Sequence, residues 1–151
     1  MSIESEPAGT AKRAVGGSDV RLVIGQVSGK PAMILMKPID PAANAQASVK
    51  YQSPVGVKSF DRVEVLKDAT VKVRVSDNGY VVEASVPLAA IGLKPAKGLT
   101  LRGDVGFISS DAQGTFNAAR TYWSNKDTNL VNDLPEEAWM QPQAWGTLMF
   151  D

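Results

Sequence analysis

Cysteine and histidine are both absent from the 151 residues, and their loss removes much chemistry at once. There are no disulfides and no thiolate metal ligands, and cysteine usage says nothing about the redox compartment. Zinc sites draw on His or Cys in nearly every common arrangement. Ser-His-Asp and Cys-His systems lose their base, and haem loses its usual axial imidazole. Only carboxylate, lysine or tyrosine chemistry is left. No Gly-rich phosphate loop exists either, because Gly16-Gly17 and the scattered single glycines fit neither the dinucleotide nor the P-loop spacing. No apolar run approaches membrane-spanning length, and residues 1–17 lack the hydrophobic block of a signal peptide, so the reading is a soluble chain without an export signal. The 16 basic and 16 acidic residues cancel, so no net field favours nucleic acid or an anionic membrane as partner.

What is present points to a single β domain. With 44% hydrophobic and 21% charged residues, the chain is long enough for one buried core and too short for two. Residues 1–18 are small, polar and without period, and read as an irregular lead-in to a domain over 19–151. Val20, Leu22 and Ile24 alternate with polar or small neighbours, residues 31–36 form a compact apolar run, and Val71, Val73 and Val75 alternate with Lys72 and Arg74. Asn78-Gly79 is a turn signal leading into Tyr80, Val82, Ala84 and Val86, which makes the clearest hairpin in the sequence. Glu83 falls on the other face of that hairpin, toward solvent or a cross-strand Lys or Arg. Pro87, followed by residues 88–91 and Gly92, predicts one or two turns of helix. Strand character resumes over 99–108, a turn over 111–114 leads into a strand over 115–123, and a last strand covers 146–150. Asp133 with Glu136 forms a capping pattern for a short helix through Trp139. The implied class is an antiparallel β-sandwich, jelly-roll or immunoglobulin-like, with one or two short helices. Met33, Met36 and Met149 read as core fillers.

Aromatic residues make up only 7% of the chain, yet all three tryptophans fall after position 122. They sit in Arg120-Thr121-Tyr122-Trp123-Ser124-Asn125, in Asn132-Asp133-Leu134-Pro135-Glu136-Glu137-Ala138-Trp139, and in Trp145-Gly146. Indole faces interleaved with amide, carboxylate and guanidinium groups suit a sugar, whose C–H face stacks on the ring while its hydroxyls meet planar polar groups.

The succession of residues 79–88, Ile91-Gly92-Leu93, Leu101-Arg102-Gly103-Asp104-Val105-Gly106, Ser110-Asp111, Arg120-Thr121-Tyr122-Trp123-Ser124-Asn125 and Trp145-Gly146 resembles the C-terminal half of the family 9 carbohydrate-binding modules and their DOMON-like relatives. The similarity covers residues 19–151, with residues 19–22 resembling a mid-domain strand. It implies a β-sandwich that binds polysaccharide or oligosaccharide outside the cell or in the periplasm, often as an accessory to a polysaccharide-degrading enzyme. Haem-binding relatives use Met and His, so the missing histidine removes that branch. Such domains usually place several strands upstream of the segment matched by residues 19–22. The strand over 19–27 is therefore expected to be an exposed edge, covered by a homodimer contact or by residues 1–18 folding back.

Each candidate residue carries two readings. Trp123 is either a stacking face or a core plug, and Trp139 an exposed platform or a hydrophobic anchor, whereas Trp145 reads as core. Arg120, Asn125 and Asn132 have planar groups suited to sugar hydroxyls, while the two asparagines serve equally as turn holders. Asp104 and Asp111 are the candidate ligands for the structural calcium that family relatives often carry, although no Asp-rich loop spacing is present. Zinc and haem are not expected. Glycoside hydrolysis needs two carboxyls facing across a cleft, and the sequence does not pair Glu83, Asp104, Asp111, Glu136 or Glu137. The reading is thus a non-catalytic glycan-binding module, the alternative being a structural or protein-interaction sandwich of a larger extracellular protein with no sugar site.

Overall fold

The computed structural model describes residues 1–5, 14–44, 48–54, 56–77, 79–113, 115–126 and 140–151. The described chain forms β1 (Ser2–Glu4), β2 (Asp19–Val27), β3 (Lys30–Lys37), β4 (Val49–Ser53), β5 (Gly56–Phe60), β6 (Arg62–Val65), β7 (Thr70–Ser76), β8 (Gly79–Ser85), β9 (Thr100–Asp104), β10 (Gly106–Ser110), β11 (Asn117–Tyr122) and β12 (Gly146–Met149). Six of them make one sheet in the order β12-β9-β1-β2-β3-β6, while β4-β5, β7-β8 and β10-β11 form separate ladders. Every pairing is antiparallel. The class is an all-β sandwich.

Register explains where the core sits, because directly paired residues share a face. Ile3 pairs with Val20 and Leu22 with Leu35, while Leu101 pairs with Leu148. Ile3, Val20, Leu22, Met33, Leu35 and Leu101 are buried together with Ile91 and Leu93, and Val71, Val86 and Leu66 pack against them. One face of the large sheet thus meets the base of the β7-β8 hairpin, through Val71 and Val86, and the turn that follows it. Each aliphatic side chain so buried contributes about 1.5–3 kcal/mol.

That turn is a 3-10 helix over Leu88–Ile91, preceded by Pro87 and ended by Gly92 at φ 73. A left-handed residue that lets the last carbonyls be satisfied favours glycine, and the Gly92 and Leu93 amides donate back to Ala89 and Leu88. The β7-β8 hairpin forms as expected, with Ser76 paired to Gly79 and Glu83 bridging to Arg74 at 3.4 Å.

Three expectations are corrected. Residues 1–18 are not all irregular, since Ser2–Glu4 is a strand seated between β9 and β2. That strand is also the covering expected for β2 from residues 1–18 folding back: it pairs with residues 19–21, while β3 pairs along the other side. Met149 is not a core filler but 69% exposed on the edge strand, whereas Met33 is buried. The stretch over 99–108 also divides, with β9 in the large sheet and β10 leaving it to pair with β11. The helix expected to begin near Asp133 falls outside the described residues.

Candidate functional site

Asp104 ends β9 where the chain leaves the large sheet. Its carboxylate is buried and is occupied by backbone: Oδ1 accepts the N–H groups of Val105 at 2.9 Å and Ser124 at 2.8 Å, and Oδ2 accepts that of Asn125 at 3.0 Å. One side chain therefore ties the beginning of β10 to the segment after β11, twenty residues on. Trp123 lies between these anchors, and its own N–H donates to the Val105 carbonyl at 2.8 Å. That bond continues the β10-β11 register one step and sets Trp123 opposite Val105.

A second layer of contacts fixes the loop from behind. Ser124 Oγ donates to the Ala144 carbonyl at 3.0 Å, Asn125 Nδ2 to Gln141 Oε1 at 2.8 Å, and Arg102 to the Trp145 carbonyl at 2.7 Å. Trp145 itself is buried. Gly146 lies under the Trp123 ring. A Cβ at that position would stand 2.7 Å from both Cη2 and Cζ3 of Trp123, a separation no carbon pair tolerates. The benzo edge of the indole therefore rests on the bare backbone of β12, as glycine in a strand permits. The rest of the side chain is open, and Trp123 is 52% exposed.

Gly146→Ala should lift the ring from this seat and destabilise the protein by about 1–3 kcal/mol, the usual cost of forcing extra atoms into a packed contact. A thermal melt together with a shift in tryptophan emission checks this. An unchanged melt and spectrum would show that the contact is not tight.

The other sequence-nominated residues fall into two groups. Asn125 comes to this junction but is buried, while Arg120 is buried on β11 opposite Ile108. Tyr122 is set inward like Arg120, its ring lying against Gly106 across the ladder. It also neighbours Arg21, whose pKa is pulled down by desolvation and partly restored by Tyr122. Asn132 and Trp139 lie outside the described residues, as do Glu136 and Glu137.

Asp104 and Asp111 serve different turns. Asp111 holds the β10-β11 connection, with Oδ1 accepting the amides of Thr115 at 2.6 Å and Phe116 at 3.1 Å and Oδ2 accepting the Thr115 hydroxyl at 2.6 Å. Among the described residues no group of three or more Asp or Glu side chains could hold a metal ion. The hydrogen bond from the Thr115 hydroxyl, reinforced by the amides, lowers the Asp111 pKa from its ordinary 3.8. A depressed carboxylate stabilises the fold above its unfolded pKa, and that contribution is lost as pH falls through the folded value. The connection should therefore stay intact at pH 4 and loosen only below 3.8. An NMR titration of the Asp111 carboxyl should give a midpoint under 3.8, and a midpoint at or above it would contradict the assigned hydrogen bonds.

Chemically, the junction offers the open part of an indole ring and, in Asp104, a carboxylate whose oxygens are taken up by backbone amides. Asp104 and Asp111 are committed to amides and Glu83 to Arg74. Sequence reasoning located Trp123 and the Asp104 motif but missed that Gly146 is the seat of the ring. The signal was available as a glycine directly after a tryptophan at the start of a strand. Gln141 carried no signal of its own.

A family model for the carbohydrate family 9 binding domain-like domains matches residues 41–151. No match was found among curated proteins or among solved structures.

Proposed function

We propose that this chain, which belongs to the carbohydrate family 9 binding domain-like family, is a non-catalytic glycan-binding module that stacks a sugar ring on Trp123. The observation that carries the reading is the indole itself, half exposed yet held at its edge on Gly146. A ring clamped in this way loses little further freedom when a ligand arrives, so more of the contact energy is expressed as affinity. Asn125 supports the loop from below. Asn132 and Trp139, carried by the segment between Lys126 and Met140, are proposed as further sugar contacts.

The proposed ligand is a plant-type polysaccharide or oligosaccharide, met outside the cell or in the periplasm, with the module serving a polysaccharide-degrading enzyme. No metal or cofactor is required. A site stacking one or two rings must desolvate many hydroxyls, so affinity is expected on the order of micromolar to millimolar. Affinity electrophoresis through gels containing soluble β-glucan or xylan, run with EDTA, tests this. Retarded migration relative to a polysaccharide-free gel is expected, and unretarded migration in both polysaccharides would overturn the reading.

A further inference from the structure

The outward face of the β10-β11 ladder carries a second aromatic ring beside the first. Register places Phe107 opposite Thr121 and Ser109 opposite Ala119, and the Trp123 amide bonded to Val105 extends the same alternation. Val105, Phe107, Ser109, Ala119, Thr121 and Trp123 therefore share one side, and all six are exposed. The opposite side carries Gly106, Arg120 and Tyr122, which are buried or half-buried, and Ile108, which is exposed. Phe107 is 57% exposed and Trp123 52%. They are diagonal neighbours, about 7–8 Å apart along the ladder, within reach of large side chains.

We infer that Phe107 and Trp123 form a two-ring platform for neighbouring sugar units of a linear, uncharged glycan, with the Thr121 hydroxyl between them meeting the sugar rim. The inference rests on the proposed glycan-binding function and extends it from one ring to a chain segment. Three features select this occupant. The face has no ionisable side chain, so neither a polyanion nor a basic peptide finds a complementary charge. It is continuous with the seated Trp123. Its alternation of aromatic rings with hydroxyl groups matches a pyranose chain, whose C–H faces are apolar and whose rims are polar. A flat β surface also suits an extended chain better than a compact ligand does, because the rings stand in a row rather than around a cavity.

Titration calorimetry with glucose and cellobiose, and with xylose and xylobiose, tests the platform in the wild-type chain and in Phe107→Ala. Phe107 is exposed and outside the core, so its replacement leaves the fold intact, which circular dichroism verifies. The wild-type protein should bind one of the disaccharides, whose two units span both rings, at least about tenfold more tightly than the matching monosaccharide. Phe107→Ala should lose that gain and bind the disaccharide no more tightly than the monosaccharide. A disaccharide gain that survives in Phe107→Ala would overturn the platform while leaving Trp123 as the sugar site. Equal affinity of the wild type for both lengths would overturn it too. No binding of any of the four sugars by the wild type would overturn the glycan-binding reading itself, and the platform with it.

Discussion

Trp123→Ala is expected to abolish measurable glycan binding and leave the protein folded. The two halves of that expectation have separate physical sources. The side chain is 52% exposed and absent from the buried cluster that holds the sheet, so its truncation, which frees the contact with Gly146, leaves that cluster intact. Binding depends on the same ring for its main apolar surface. Burying an aromatic of this kind against a ligand is worth about 1.5–3 kcal/mol, or roughly tenfold to more than a hundredfold in affinity. For a module already working at micromolar to millimolar strength, that loss takes binding out of range. Glycan-induced quenching of tryptophan fluorescence should disappear with it. Retained binding by a folded Trp123→Ala protein would remove Trp123 from the site.

Asp104→Ala should produce the largest loss of stability at the site. Three backbone N–H groups, from Val105, Ser124 and Asn125, lose their acceptor together. Each buried donor left unsatisfied costs about 1–3 kcal/mol, though neighbouring losses are not simply additive. With roughly 2–4 °C lost per kcal/mol in a chain of this size, the melting temperature should fall by roughly 10 °C. Asp104→Asn keeps one carbonyl oxygen and should fall between alanine and wild type. Because Ser124 and Asn125 directly follow Trp123, glycan affinity should fall in the same order. A melt indistinguishable from wild type in Asp104→Ala would mean that water replaces the carboxylate at no cost, contrary to its burial.

The strands legible in the sequence were those with strict alternation or a compact apolar run. β2 and β7 announce themselves through Val, Leu and Ile at period two, β8 through Tyr, Val and Ala at the same spacing and β3 as a compact apolar run, and Gly92 marks the end of the 3-10 turn through the left-handed conformation it adopts. β1 was not legible because Ser2–Glu4 is three residues long, too short for a period, and is defined by the strands on either side. β4, β5 and β6 are half-exposed and rich in Lys, Arg and Ser, so their pattern resembles loop composition. At the site, residue types singled out Trp123 as a candidate stacking face and Asp104 as a candidate calcium ligand. They did not reveal that Asp104 anchors the residues after Trp123, because that link runs from its carboxylate to amides twenty residues on. Trp145 read as core from its sequence position and is buried, whereas the two readings of Trp123 stayed open, since only the neighbouring sheet decides how much of that ring water reaches.

The central claim is that an exposed, seated Trp123 meets the sugar. The most direct measurement is an NMR titration of the indole N–H signals, assigned by single Trp replacements, with a soluble β-glucan or xylan oligosaccharide. The Trp123 signal should move saturably with added sugar while that of buried Trp145 stays in place. Saturable binding detected by calorimetry on the same sample, with the Trp123 signal unmoved, would contradict the account.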